Sequence, residues 1–151
     1  MKLEKIWVKR VRKGPMDGRE RARLVPGRGL EGNVEQGGRR QVTILSAERW
    51  SEVERELGAP VDPAARRANL LISGLDLERS RDRVLKIGHG RILIHGETRP
   101  CRQMNEAHPG LQAALEPAWG GGAYGEVLEG GEIRVGDPVG WETGTTDAPA
   151  P

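Results

Sequence analysis

The chain has 151 residues, with 24 Lys or Arg against 22 Asp or Glu and a single cysteine. This length suits one domain able to bury a core without staples, and the lone thiol excludes an internal disulfide and a thiolate-cluster zinc site. Charges interrupt the apolar runs, so neither a signal peptide nor a membrane-spanning helix is expected and a soluble protein of a reducing cytoplasm is.

The net charge of +2 is unevenly spread, because residues 1–28 carry ten Lys or Arg and only three acidic residues. That asymmetry suits an anionic partner, either nucleic acid or a phosphorylated small ligand. A solvated basic strand and loop is the plainer account of the same residues.

Taken in order, Lys5 to Val11 is rich in branched and aromatic residues and predicts a first strand. From Lys13 to about Arg40 glycine and arginine dominate without a period, which predicts a long loop with one short strand near Ala22 to Val25. Gln41 to Leu45 predicts a strand. Ser46 then caps a helix whose inner face is Trp50, Val53 and Leu57, and Gly58 stops it. Asp62-Pro63 opens a short helical turn that delivers a buried strand over residues 68–73.

Residues 84–88 and 91–96 predict two strands joined through His89-Gly90. A short helix is expected from Pro109 to Leu115, followed by strands at 124–128, 132–135 and 139–141 separated by glycine turns. Short strands between glycine turns predict a mainly β fold, a sandwich or barrel with a few short helices. The division expected is one domain over residues 1–142 and a small, polar, disordered tail over 143–151.

The stretch with most chemical character is Thr98-Arg99-Pro100-Cys101-Arg102-Gln103-Met104. A cysteine reacts as its thiolate, and guanidinium groups nearby favour that form, so Arg99 and Arg102 are expected to activate Cys101. Pro100 lacks an N–H and biases Arg99 away from helix, which places the thiol at a strand end or turn. The competing reading is a small buried hydrophobe. His89, His95 and His108 show no metal-ligand spacing and are expected to be satisfied or solvent-facing. No base and orienting group mark Cys101 as a protease nucleophile, and the glycine runs match no phosphate-cradling fingerprint. With four Trp, one Tyr and no Phe, aromatics are too few for a base-stacking platform.

Several motifs occur in an order similar to that of the MOSC domain family, the module found at the C-terminus of molybdenum cofactor sulfurases and as small free-standing bacterial proteins. These are Gly29-Leu30-Glu31-Gly32, Arg40-Gln41-Val42-Thr43-Ile44-Leu45-Ser46, Asp62-Pro63, Arg67-Ala68-Asn69-Leu70, Leu85-Lys86-Ile87-Gly88, Pro100-Cys101-Arg102-Gln103-Met104, Pro109-Gly110-Leu111 and Gly131 to Asp137. The resemblance implies a barrel-like β domain. It implies that Cys101 matches the family's signature cysteine, which accepts sulfur as a persulfide or ligates molybdenum. Arg67 and Asn69 match its Arg-x-Asn motif and, with Arg99, Arg102, Arg40 and Arg28, are the candidates to hold the phosphate of the molybdenum cofactor.

One departure is Asn33 after Gly32, where the family usually has Asp. The chain also shows nothing like the lysine-bearing site of the sulfurases' other domain, so pyridoxal phosphate is not expected on it. The resemblance implies binding of molybdenum cofactor or sulfur carriage, with a sulfur donor or acceptor protein as partner. A molybdenum-dependent reductase of N-hydroxylated compounds is the alternative enzyme reading. Nucleic-acid binding with an inert cysteine ranks below both.

Overall fold

The computed structural model describes residues 1–143, so the expected tail lies, apart from Thr143, outside the described residues. Eleven strands form: β1 (Lys2–Lys9), β2 (Met16–Arg19), β3 (Arg21–Val25), β4 (Gly29–Leu30), β5 (Val42–Ser46), β6 (Leu70–Ser73), β7 (Val84–Ile87), β8 (Gly90–Glu97), β9 (Ala123–Glu129), β10 (Gly131–Arg134) and β11 (Val139–Trp141). Three helices join them: α1 (Ala47–Leu57), α2 (Met104–Ala107) and α3 (Leu111–Leu115).

The main sheet runs β11-β7-β8-β9-β5-β6-β1-β2, and a smaller one runs β10-β3-β4. Every pairing is antiparallel except β5 with β6, which are parallel and therefore need a crossover. That crossover is α1 plus a 3-10 turn over Pro63–Arg66. The main sheet curls until the start of β1 reaches the segment that leads into β11 at its other edge. Lys2 bridges Pro138, Leu3 N–H donates to the Asp137 carbonyl at 2.8 Å, and Gly136 N–H donates to the Leu3 carbonyl at 2.7 Å. The result is barrel-like, fastened at this seam by a few backbone bonds rather than by a continuous ladder.

The alternation of β5 and β6 decides where the two cores lie. Ile44, Leu70 and Ile72 point inward with Leu3, Leu85, Ile87, Ile92 and Ile94. Leu45 and Leu71 point outward and are covered by Trp50 and Val53 of α1, Met104 of α2, and Leu111 and Leu115 of α3. Strands buried on both faces carry apolar residues at successive positions, as Ile44-Leu45 in β5 and Leu70-Leu71-Ile72 in β6 do. Ser46 Oγ accepts from Arg49 N–H at 3.2 Å, and Gly58 ends α1 in the left-handed region at φ +71°.

Three expectations shift. β1 starts at Lys2 because its first half pairs with β6, Leu3 opposite Ile72. The segment expected to hold one short strand near Ala22 to Val25, here β3, also contains β2 and β4, since β2 folds back on β1 and β4 pairs with β3. The turn between β7 and β8 is Gly88-His89, with Ile87 paired to Gly90.

Trp50 is 4% exposed, and its Nε1 donates to the Val61 carbonyl at 2.8 Å. Trp50→Phe keeps an apolar ring but strands that carbonyl, so urea unfolding should show a loss of about 1–3 kcal/mol with little change in m.

Candidate functional site

Past the end of β8 the chain is pinned before and after its cysteine. Thr98 N–H donates to the Gly122 carbonyl at 2.8 Å, and Pro100 is buried. On the far side, Met104 N–H donates to the Cys101 carbonyl at 3.0 Å and the Met104 side chain sits in the outer core. Cys101 is therefore carried on a turn between two buried anchors, and its thiol is exposed. Its Sγ lies 4.0 Å from Gln103 Oε1. The placement is the strand-end turn that Pro100 predicts.

The thiol borders a pocket of about 350 Å³. Four cationic side chains line it, Lys9, Arg40, Arg66 and Arg67, with one acid, Glu35. Lys9 Nζ is paired with Glu35 at 3.0 Å, so the net positive field comes from the arginines. Arg66 is delivered by the 3-10 turn that Asp62 caps, Oδ1 accepting from Ala64 N–H at 2.9 Å. Its Nε donates to the Gly121 carbonyl at 2.9 Å and its Nη2 reaches the Thr98 carbonyl at 3.3 Å, tying the turn to the cysteine segment. Burial pushes the Arg66 guanidinium below the ordinary arginine value, charge on Cys101 pulls it back up, and Arg40 pushes it down again. Arg66 and Cys101 line the same pocket. Arg40 lies over the Tyr124 ring, 4.9 Å from its centroid. Arg67, left-handed at φ +64°, donates from Nη2 to the Gly14 carbonyl and so clips the β1–β2 loop beside the pocket.

The floor is a buried amide network. Asn69 Oδ1 accepts from Thr43 N–H at 3.1 Å and from Thr43 Oγ1 at 3.2 Å. Its Nδ2 donates to the Trp7 carbonyl and to Asn33 Oδ1, each at 3.2 Å. Asn33 Oδ1 also accepts from Lys9 N–H at 2.9 Å. Of the sequence candidates, Cys101, Arg40, Arg67 and Asn69 come together around the pocket, with the Asn69 amide engaged in this scaffold. Arg28, Arg99 and Arg102 are exposed and are not among the lining residues.

Sequence reasoning passed over Arg66, Lys9 and Thr98. Only Arg66 had a local signal, its place in the capped turn before the Arg-x-Asn motif. The histidines stand elsewhere: His95 Nε2 is 2.7 Å from Glu126 Oε1, and His108 Nδ1 is 2.9 Å from the Pro109 carbonyl.

Residues 31–140 match the sequence model of the MOSC domain. The chain belongs to the MOSC domain family. Solved structures agree in fold. YuaD from Bacillus subtilis superposes with a TM-score of 0.78 at 22% identity, over 91% of this chain and 93% of that one. YiiM from Geobacillus stearothermophilus gives 0.73 at 18%, over 95% and 76%. YiiM from Escherichia coli gives 0.70 at 18%, over 95% and 70%. No curated protein matches the sequence significantly. Among the described residues no helix of this MOSC protein is long and apolar enough to cross a membrane.

Arg66→Gln removes the bonds from Nε and Nη2 to the Gly121 and Thr98 carbonyls, so urea unfolding should show a loss of about 1–3 kcal/mol. Arg99→Gln and Arg102→Gln, at exposed positions, should change the stability by less than about 0.5 kcal/mol.

Proposed function

We propose that this MOSC protein binds molybdenum cofactor in the pocket beside Cys101, with the thiolate as the protein's ligand to the metal. The observation that carries this reading is an exposed thiol bordering a pocket of about 350 Å³ whose excess charge is positive. Small-ligand sites run from roughly 300 to 1,000 Å³, whereas a bare sulfur carrier requires no such volume. Among the described residues no cluster of three or more His, Cys, Asp or Glu could hold a metal ion. A metal arriving here must therefore bring its other ligands with it, which suits a thiolate and a metal–organic cofactor.

Each residue then has a task. Cys101 holds the metal, and Arg66 and Arg40 hold the phosphate of the organic ligand through charge-assisted hydrogen bonds. Arg67 fixes the loop at Gly14 that borders the site. The bound cofactor supplies redox chemistry at the metal, and reduction of N-hydroxylated compounds is the activity this reading would carry. The chain's own residues bind and orient.

A second reading rests on the exposure of the thiol, whose polar neighbour Gln103 Oε1 is a distant 4.0 Å away. Such a sulfur can act as a carrier. The Cys101 thiolate attacks the outer sulfur of a donor persulfide, the donor's S–S bond breaks, the donor leaves as its thiolate, and Cys101 is left as a persulfide.

Elemental analysis for molybdenum and fluorescence of oxidised pterin separate the two readings, in protein purified anaerobically from a cofactor-replete host. Metal and pterin in the parent, lost in Cys101→Ala, are the expected result. Their absence from both, with one added sulfur mass on Cys101, would replace cofactor binding with sulfur carriage, and absence of all three signals would overturn both.

A further inference from the structure

Four segments border the mouth of the Cys101 pocket: residues 9–17, 33–41, 66–69 and 98–104. They carry ten Lys or Arg and two acids, Asp17 and Glu35. Both acids are engaged by a neighbour, Asp17 by Arg10 and Glu35 by Lys9. Five further cations on these segments, Arg12, Lys13, Arg39, Arg99 and Arg102, are exposed and lie outside the pocket lining. None of the five has an acidic partner among the described residues.

Each of the five stands next to the opening. Arg12 and Lys13 sit on the loop between β1 and β2, whose Gly14 carbonyl accepts from Arg67 Nη2. Arg39 precedes the lining residue Arg40, and Arg102 falls between the lining residues Cys101 and Gln103. The Arg99 carbonyl accepts from Arg66 Nη2 at 3.4 Å. A ligand confined to the pocket does not meet these charges. Of the four large apolar side chains exposed among the described residues, two stand on the same segments, Val11 at 58% and Val34 at 36%. Val34 N–H donates to the Lys9 carbonyl at 2.7 Å, which holds it against the end of β1.

We propose that this collar is a docking surface for a protein whose contact face is acidic, seated over the pocket mouth so that the group it carries enters beside Cys101. The inference rests on reading that pocket as the working site, and it adds the partner's chemistry and the residues that meet it. The chain has one cysteine, so any sulfur that reaches or leaves Cys101 is exchanged with another molecule. Complementary charge speeds the encounter with such a partner and fixes its orientation. Nucleic acid would answer the same cations through its phosphates. Exposed valines add nothing to phosphate contacts, however, whereas arginines interspersed with apolar side chains suit a protein interface.

The test offers the full chain, free of pterin, three probes: a synthetic peptide of mixed Glu, Ser and Leu, a single-stranded DNA of equal charge, and vesicles containing phosphatidylserine. The peptide should bind the parent, lose affinity as salt rises, and at saturation slow maleimide labelling of Cys101 by about fivefold or more. Arg12→Glu with Lys13→Glu, and Arg99→Glu with Arg102→Glu, should each weaken peptide binding about tenfold. Arg55→Glu with Lys86→Glu makes the same change in net charge outside the collar and should stay within about twofold of the parent. Val11→Ser should weaken the peptide about threefold, and should not affect a peptide in which Ser replaces every Leu.

Equal weakening by Arg55→Glu with Lys86→Glu would overturn the collar, since net charge alone would then account for binding. Peptide bound without protection of Cys101 would place the contact away from the pocket mouth and overturn it as well. Tighter binding of the DNA or the vesicles than of the peptide, abolished by the same collar reversals, would hand the surface to nucleic acid or to an anionic membrane and overturn the protein partner. A parent that binds none of the three probes would overturn the docking surface outright. Because the readout needs no cofactor, a protein without molybdenum or pterin that still binds the peptide and shields Cys101 would sink cofactor binding and leave the collar standing.

Discussion

Two buried carboxamides, Asn33 and Asn69, hold together the parts of the chain that make the pocket. Each is 6% exposed, and between them they bond to backbone of β1, of β5 and of Glu35, two residues beyond Asn33. Burying amides is tolerable only when their donors and acceptors are met, and the mutual bond of 3.2 Å completes the set. The segment that presents Arg66 and Arg67 leads into Asn69 and β6, so the positions of both arginines are inherited from this junction. Asn33 stands where the family usually has Asp. Either side chain accepts from Lys9 N–H and from Asn69 Nδ2, but the amide can also donate to the Glu35 carbonyl, at 3.4 Å. It also leaves the pocket floor without a formal charge, which strengthens the positive field above it.

The cations that line the pocket beside the thiol come from the fold rather than from the residues that flank it in sequence. Arg99 and Arg102 flank Cys101 along the chain, but both are exposed, where a charge is screened within about 10 Å. Arg66 comes from a different element and is held in place by backbone carbonyls on either side of the pocket wall. The same bonds lock the cysteine segment to the turn that carries the arginine, so thiol and guanidinium cannot drift apart independently.

Much of this was legible in the sequence, and the limits have physical causes. The helix from Ser46 to Gly58 and the turn at Asp62-Pro63 are written in local capping chemistry, and the structure reproduces both. The mainly β character and the turn at Cys101 follow from glycine, proline and branched-residue spacing. What failed to show was long-range. The strand expected near Ala22 formed as β3, but its pairing with β10, Ala22 opposite Ile133, and the strands β2 and β4 on either side of it had no local pattern to announce them. α2 has no side-chain cap to signal it. Within the site, Cys101, Arg40, Arg67 and Asn69 were readable because motif order marks them. Arg66 and Thr98 were not, because they meet only across the chain, where the Arg66 guanidinium donates to the Thr98 carbonyl.

The central claim is that Cys101 is the protein's ligand to molybdenum in this pocket, and molybdenum K-edge X-ray absorption on purified parent and Cys101→Ser protein tests it most directly. One more sulfur in the metal's first coordination sphere in the parent than in Cys101→Ser is the result predicted. Equal sulfur counts in the two proteins, or no molybdenum edge in the parent, would contradict it.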